Sequence, residues 1–467
     1  MNTFRRKQSS YVYLGQTTSL CEKCLRLVPA KILREGDTIV FRKRCPQHGV
    51  SRAVISTDAS YYLSQRDFLK VSDLPQAPQT RIEKGCPHDC GLCPDHEQHS
   101  CLALIDITDE CNLECPVCFA ASGPGRGGFK TLAQIEKMLD TLVESEVEPD
   151  LLQISGGKPT LHPDILRIIE MAKARPIRHI MLNTNGVRIA NEPEFAEALA
   201  RFAPGFEIYL QFDSLRPHVL KELRGADLTG VRRRALENLE RAGLSTTLVA
   251  VIAKGLNEDE PADIIRHALR WKCVRGVTFQ PVQRAGRLLN DAAGRGRVVL
   301  SDIRRAIIEG DCGFAEEDLI PLPCNPESIC IGYALRDGEK IAPVTRYIPR
   351  DVIVAELPNA ISFEKYPELH ARILEFFSLD TTCDSAPGRL QSMLCCLPQI
   401  RMPENLSYAD IFRVAIVEFL DAANFCLGRV KRSCIHFVTD DGRIIPIDTY
   451  NLFYRPGTGA CHEGKMA

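Results

Sequence analysis

The chain has 467 residues, which allows two to four domains, and its formal net charge of −2 gives it no basic field to attract nucleic acid. Twenty residues are cysteines, and in a large chain without a signal-peptide pattern that abundance favours metal ligation over disulfides. No apolar run is long enough to predict a membrane-spanning helix. We therefore expect a cytoplasmic location, while contact with a membrane surface stays open.

Residues 1–75 are predicted to form a separate metal-binding module of the zinc-ribbon or rubredoxin type. Cys21 and Cys24 form one knuckle, and Cys45 and His48 form a second knuckle about twenty residues later. Two such knuckles supply three sulfurs and one nitrogen, which suits a tetrahedral site for one zinc or iron ion. The sequence does not choose between the two metals.

Residues 76–101 are predicted to bind an auxiliary iron–sulfur cluster. The segment offers four sulfur ligands: Cys86, Cys90, Cys93 and Cys101. A stretch with so little apolar content needs a metal centre to hold it together. An alternative is that this loop, rather than the next one, carries a cluster with an open iron, although no strand precedes it. We interpret the histidines of the segment as solvated loop residues: His88, His96 and His99.

The most informative motif follows an apolar run at residues 102–107. It consists of Cys111, Cys115 and Cys118 with Cys-x3-Cys-x2-Cys spacing. Three thiolates on a short loop can hold a [4Fe–4S] cluster and leave its fourth iron without a protein ligand. Such an open iron can bind a small molecule.

Residues 102–300 are predicted to form a partial (β/α)6 TIM barrel, so the fold class is α/β. Six apolar runs alternate with amphipathic helical patterns, and they predict strands at residues 102–107, 150–154, 178–183, 206–212, 246–252 and 276–281. Thr131 and Gln134 form a capping box before the first helix. In such barrels the chemistry lies at the carboxyl ends of the strands, where the triple-cysteine loop is placed.

Polar residues cluster at four of these strand ends, and jointly they fit a bound nucleoside and amino acid. The candidate cofactor-binding residues are Ser155, Gly156, Gly157, Lys158, Asn183, Asn185, Gln211, Asp213 and Gln280. Glycines without a Cβ atom would let the backbone approach the cofactor closely. Two simpler interpretations stay open: the glycine loop could merely begin the next helix, and Asp213 could cap one.

Residues 301–467 are expected to form a C-terminal domain that contains an auxiliary cluster and binds substrate. Cys324, Cys330 and Cys434 resume the pattern of metal ligands. An apolar stripe predicts a helix around residues 409–425. That helix would face the core or line a channel for an aliphatic chain.

The triple-cysteine loop resembles the radical S-adenosylmethionine (radical SAM) superfamily. The resemblance implies that the open iron chelates SAM and that the reduced cluster splits SAM into methionine and a 5′-deoxyadenosyl radical. The run at residues 155–160 resembles the family's GGE motif, which holds the amino group of SAM, but Lys158 stands where the glutamate is expected. The run at residues 183–186 resembles the family's TNG motif.

Across most of its length the chain resembles the tetraether lipid synthase family of radical SAM proteins. The shared features are the N-terminal knuckles, the four cysteines of the segment 76–101, the barrel and a C-terminal Cys…His…Asp-Gly-Arg…Tyr-Asn pattern. The resemblance implies a third cluster on Cys324, Cys330 and Cys434. Its fourth ligand is left open among Asp448, Cys426 and Cys461. The expected cofactors are two or three [4Fe–4S] clusters, SAM and one mononuclear zinc or iron ion.

For such a protein the resemblance implies carbon–carbon coupling of lipid alkyl chains, with a ferredoxin or flavodoxin as electron donor. The substrate is then a lipid or another small molecule. Two alternatives stay open. One is a radical SAM methyltransferase or peptide-modifying enzyme, because auxiliary clusters serve those too. The other is an iron–sulfur protein that has lost SAM cleavage, which Lys158 favours.

Overall fold

The computed structural model describes residues 8–288, 296–347, 350, 353–354 and 410–456. Two sheets organise these residues: a four-stranded antiparallel sheet near the N-terminus and a twelve-stranded mixed sheet. The predicted fold class, a mixed α/β protein with a parallel core, is confirmed. The domain boundaries expected after residues 75, 101 and 300 stay predictions.

The N-terminal sheet is a meander whose four strands pair in chain order: β1 (Val12–Leu20), β2 (Leu27–Glu35), β3 (Thr38–Cys45) and β4 (Gly49–Ser56). A two-residue turn joins β2 to β3, and Gly36 takes a positive φ of 64° there, as a tight hairpin requires. The turns after β1 and β3 lie at one end of the sheet. They carry the two predicted metal knuckles.

Six parallel strands form the centre of the large sheet: β5 (Leu102–Asp106), β6 (Leu151–Ser155), β7 (His179–Thr184), β8 (Phe206–Gln211), β9 (Thr246–Ile252) and β10 (Val274–Pro281). They are neighbours in chain order. Ile105, Leu152 and Ile208 are fully buried. Strands covered on both faces are near-continuous apolar runs in the sequence, and this is why all six were predicted.

Helices connect the strands and cover the sheet. They are α1 (Ala59–Ser64), α2 (Leu132–Glu146), α3 (Ile165–Lys173), α4 (Val187–Asn191), α5 (Pro193–Ala200), α6 (Pro217–Arg224), α7 (Thr229–Arg241), α8 (Pro261–Leu269), α9 (Leu300–Glu309) and α10 (Leu427–Lys431). The predicted capping box of Thr131 and Gln134 begins α2. No helix among the described residues is both long and apolar enough to cross a membrane.

C-terminal strands extend the large sheet at both edges. The added strands are β11 (Ile320–Pro321), β12 (Ile329–Asp337), β13 (Lys340–Pro343), β14 (Ile411–Val417), β15 (Ile435–Val438) and β16 (Ile444–Pro446). Strand β14 lies parallel to β10, and β15 lies parallel to β5. The chain after residue 300 therefore shares its hydrogen-bonded sheet with the central strands.

The helix predicted around residues 409–425 is wrong in the described part of that range. Residues 411–417 form strand β14, in which Phe412, Val414 and Ile416 are buried while the residues between them are half-buried. This alternation has the period of two that a strand requires. The run is rich in β-branched and aromatic residues, which favour a pleated surface.

Candidate cluster and cofactor site

The triple-cysteine loop lies at the carboxyl end of β5, as predicted. Cys111 and Cys115 are buried, and Cys118 is half-buried. Cys118 exchanges two backbone hydrogen bonds with Arg287, at 2.8 and 2.9 Å. The Arg287 side chain donates to the carbonyls of Cys115 and Ser122 at 2.6 and 2.7 Å. The segment after β10 therefore holds the loop in place.

The glycines at the end of β6 pack against this loop. The amide of Gly157 donates to the Thr108 carbonyl at 2.6 Å, and the amide of Lys158 donates to the Glu110 carbonyl at 2.7 Å. A Cβ atom at Gly156 or Gly157 would lie 2.3 Å from one of these carbonyl oxygens. The glycines thus permit close approach to the cluster loop, whereas the sequence analysis expected close approach to the cofactor.

Lys158 is buried beside the three cluster thiols, with 4% of its surface exposed. Burial lowers the pKa of its ammonium to about 8, and the thiols of Cys111 and Cys115 oppose that shift electrostatically. The side chain therefore does not turn away to solvent. A cation occupies the place where the resemblance implies a carboxylate.

Asp213 follows β8 and pairs with two arginines that line the site. Its carboxylate accepts from Nε of Arg224 at 2.7 Å and from a terminal nitrogen of Arg232 at 3.0 Å. Although burial opposes ionisation, the two guanidinium groups hold the pKa of Asp213 below its usual value. Arg224 also reaches the thiol of Cys115. Asp213 accordingly positions cations near the cluster loop, a role that neither sequence interpretation gave it.

Sequence reasoning missed both arginines, but one signal was present. Arg232 lies on the apolar face of α7, three and four residues before Ala235 and Leu236. It is only 2% exposed. A charged residue on a buried helical face needs a partner of opposite charge. The carboxylate in the strand-end pattern was Asp213.

Hydrogen bonds hold the amide side chains of the strand ends. Gln211 donates to Asn183 at 3.2 Å, and Asn183 donates to Ser155 at 3.2 Å. Asn185 donates to Asn112 of the cluster loop at 2.7 Å. Gln280 donates to the Tyr209 hydroxyl at 3.2 Å. Neighbouring strands thus fix the orientations of these groups.

One cavity brings most of the predicted residues together. It is lined by the three cluster cysteines and by Gly156, Gly157, Lys158, Asn183, Asn185, Gln211 and Gln280. Ser155 and Asp213 support lining residues through the hydrogen bonds given above. Three thiols on one loop, beside a wall of amides, form a donor set that fits a [4Fe–4S] cluster with one open iron and a polar ligand on it. The roles of the individual residues stay predictions.

The four residues of the N-terminal knuckles also converge. The ligand atoms of Cys21, Cys24, Cys45 and His48 all lie within 4.8 Å of one another. The thiols of Cys24 and Cys45 are 3.9 Å apart, and Nδ1 of His48 is 3.5 Å from the thiols of Cys21 and Cys45. Zinc–sulfur bonds of about 2.3 Å in a tetrahedron give edges of about 3.8 Å. The spacing therefore fits one tetrahedral ion.

A third group of thiols differs from the expected ligand sets. Cys101 was expected to complete the set of Cys86, Cys90 and Cys93, but its thiol lies within 4.8 Å of Cys324 and Cys434. The segment 76–101 continues directly into β5. Strand β15 pairs with β5 and brings Cys434 next to Cys101. All three thiols are buried.

Cys330, expected in that third set, lies elsewhere because strand β12 carries it into the core beside the Tyr61 hydroxyl. The candidates for a fourth ligand also differ in position. The Cys426 thiol lies 3.2 Å from the Thr17 hydroxyl, and the Asp448 carboxylate accepts from the Leu420 amide at 2.6 Å. Asp448 is near enough to Cys434 to affect its ionisation. Cys461 lies outside the described residues.

Residues of the segment 76–101 are more buried than the sequence suggested. The Cys86 and Cys90 thiols interact, and the Cys90 thiol lies 2.9 Å from the Thr449 hydroxyl. His96 is not solvated: it is 6% exposed, and its Nε2 donates to the Ser433 carbonyl at 2.8 Å. The C-terminal segment covers this loop, and its position could not be read from local sequence.

His99 is also tied to the protein rather than to solvent. Its Nδ1 lies 3.0 Å from a carboxylate oxygen of Glu146, and its Nε2 lies 3.4 Å from the Cys101 thiol. A carboxylate commonly orients a histidine that ligates a metal. His99 therefore lies against the third thiol group, whereas the sequence analysis interpreted it as a solvated loop residue.

Comparisons with known proteins agree with this geometry. The Radical SAM superfamily model matches residues 105–268, and the model of the HMPTM N-terminal zinc ribbon domain matches residues 13–57. The 7,8-dihydro-6-hydroxymethylpterin dimethyltransferase of Methanocaldococcus jannaschii is 30% identical over 94% of each chain.

Two further relatives match only in part. The mycofactocin maturase MftC of Mycobacterium ulcerans is 30% identical over 37% of this chain and 45% of its own. The GTP 3′,8-cyclase of Alkaliphilus oremlandii is 32% identical over 39% of this chain and 57% of its own. The chain therefore spans about half the length of these two enzymes.

The fold and the site define a radical SAM protein with an N-terminal zinc ribbon. Within that superfamily, the chain belongs to the family of the M. jannaschii dimethyltransferase, which it matches along nearly its whole length. The narrower resemblance to tetraether lipid synthases is not confirmed. A [4Fe–4S] cluster and SAM follow from the superfamily, while the number of clusters stays a prediction.

Proposed function

We propose that the chain is a radical SAM methyltransferase that acts on a reduced pterin or a closely related heterocycle. The observation that carries the proposal is the match along nearly the full length to a pterin dimethyltransferase. The three cluster cysteines and the amide-lined cavity supply a site of the required kind. The bound cluster and SAM would supply the radical chemistry.

The residues of the chain have distinct roles in this proposal. Cys111, Cys115 and Cys118 hold the cluster, and Arg287 fixes the loop that carries them. The amides of Asn183 and the other strand ends bind polar groups of SAM in a fixed orientation. Because these amides already have hydrogen bonds to neighbouring groups, little orientational freedom is lost when the cofactor binds.

A second, larger cavity gives room for the substrate. In the described part of the chain it has a volume of about 1090 Å³ and shares Phe119 and Ala120 with the cofactor cavity. The residues that line it include Asp109, Arg126 and Arg284. Charged side chains of this kind exchange hydrogen bonds with the N–H and carbonyl edge of a heterocycle such as a pterin, which favours a polar substrate over an alkyl chain.

The lipid carbon–carbon coupling implied by the first resemblance has no support among the comparisons, and we retain it only as an outcome of the test. Likewise, a ferredoxin or flavodoxin donor and a cytoplasmic location stay expectations. A soluble reductant can replace the donor in the assay.

The test incubates the anaerobically reconstituted chain with SAM, a low-potential reductant, a methylene-tetrahydropterin as an alternative one-carbon donor, and either 7,8-dihydro-6-hydroxymethylpterin or a diether lipid. Reductive cleavage leaves the methyl group of that SAM on methionine, so each methyl group added to the pterin comes from a second SAM or from the one-carbon donor. We expect 5′-deoxyadenosine and a pterin heavier by one or two methyl groups, detected by mass spectrometry. The variant with alanine at positions 111, 115 and 118 is the control and should form neither. A coupled lipid with no methylated pterin would refute the methyltransferase proposal in favour of the lipid reaction.

A further inference from the structure

We propose that Lys158 raises the reduction potential of the cluster that Cys111, Cys115 and Cys118 would hold, so that a weaker one-electron donor suffices to reduce it. The inference goes beyond the proposed function, because neither SAM nor a substrate takes part in it. It assigns a charge-tuning role to the residue that departs from the motif of the superfamily.

The geometry fixes the ammonium group close to the cluster loop. The Lys158 amide donates to the Glu110 carbonyl at 2.7 Å, so the base of the side chain is tied to the loop itself. The residue is 4% exposed and lines the same cavity as the three cysteines. Its ammonium interacts electrostatically with all three thiols.

The surroundings reinforce this charge rather than cancel it. Arg224 and Arg232 share the single carboxylate of Asp213, so this group of three carries a net positive charge. Arg224 is 11% exposed and also reaches the Cys115 thiol. Lys158 adds a further positive charge to the same cavity, which Arg224 and Arg232 also line. The protein therefore presents a buried cationic field to the cluster position.

The cationic field affects the reduction potential because reduction changes the charge of the cluster. The donor, a ferredoxin or flavodoxin, loses one electron, and the cluster passes from [4Fe–4S]²⁺ to [4Fe–4S]⁺ and becomes more negative by one charge. A nearby cation stabilises the reduced form more than the oxidised form, and the effect is large where water is excluded. The charge and hydrogen bonding around a cluster set its potential in this way.

The test is a redox titration of the full-length reconstituted chain without SAM, followed by the EPR signal of the reduced cluster. We expect Lys158→Gln to shift the one-electron reduction equilibrium at least about tenfold toward the oxidised form, which corresponds to about 59 mV. Lys158→Glu should shift it about a hundredfold, since it replaces a cation with an anion. Lys158→Arg should restore the wild-type potential.

Two controls make the outcome decisive. A variant with alanine at positions 111, 115 and 118 identifies the EPR signal of this cluster by its loss. Lys130→Gln removes a lysine from the connection between β5 and α2, which also carries the three cysteines. Lys130 is already paired with Asp440 at 2.8 Å and is partly exposed, so the reduction potential of the cluster should not change in this variant. If Lys158→Glu fails to assemble the cluster, Lys158→Gln carries the test.

A Lys158→Gln protein with the full iron content and the wild-type potential would overturn the inference. So would a Lys130→Gln shift as large as that of Lys158→Gln, because the effect would then be one of overall charge. Failure to methylate a pterin would leave this result untouched, so the two proposals fail separately.

Discussion

Replacing Asp213 with Asn tests the buried charge network that supports the site. The carboxylate is fully buried and accepts from two arginines whose side chains are 11% and 2% exposed. Asn has nearly the same shape and tolerates the positive φ of 68° at this position. The substitution therefore leaves two buried guanidinium groups without their counter-charge, and removing one partner of a buried ion pair costs about 3–5 kcal/mol.

The matched control is Asp259→Asn. Asp259 also pairs with an arginine, Arg216, at 2.6 Å, but the two side chains are 63% and 36% exposed, so we expect a loss of only about 0–1 kcal/mol. The assay is anaerobic urea unfolding followed by the fluorescence of the single tryptophan, Trp271, which packs against the barrel core. Equal free energies of unfolding for the two variants would refute this account of the network.

Three further predictions concern the cluster loop, the buried histidines and the ribbon. Gly157→Ala should reduce cluster content and SAM binding by at least tenfold, because its Cβ would lie 2.3 Å from the Glu110 carbonyl oxygen. Gly128→Ala, between β5 and α2, meets nothing within 4 Å and should behave as wild type. Burial lowers the pKa of His96 to about 4, below the unfolded value of about 6.5. The unfolded chain therefore binds more protons between these values, and His96 should contribute a fall in stability of about 1.4 kcal/mol from pH 7.5 to 5.5. Burial also lowers the pKa of the neighbouring His436, which adds a fall of its own, so His96→Asn should make the total fall smaller by about the share of His96; an unchanged pH profile in that variant would contradict the assignment. Cys24→Ser should remove one metal ion per chain, measured by mass spectrometry of metals, without loss of cluster iron, and an unchanged count would exclude the ribbon site.

The parallel strands and the cluster loop could be predicted because their signals are local. Buried parallel strands such as β6 are continuous apolar runs, and the spacing of Cys111, Cys115 and Cys118 is contained within eight positions. The strand at residues 411–417 was mistaken for a helix because a short apolar run does not distinguish the two structures by periodicity alone. Its pairing with β10 decides the matter, and that contact is distant in sequence.

The thiol groups show the same limit more clearly. Four cysteines in one segment suggested a single cluster, yet Cys101 joins Cys324 and Cys434 from distant parts of the chain. Which thiols meet depends on the placement of β15 next to β5 and is not encoded in cysteine spacing. The ion pair of Asp213 with Arg232 was predictable in principle, because a charged residue on an apolar helical face requires a partner.

The central claim is that Cys111, Cys115 and Cys118 hold a cluster that cleaves SAM despite the lysine at position 158. The most direct measurement is 5′-deoxyadenosine released by the reduced, reconstituted chain on addition of SAM. We predict its formation by the wild type and its absence when the three cysteines are alanine. Full cluster loading without any 5′-deoxyadenosine, or equal amounts from both proteins, would contradict the claim.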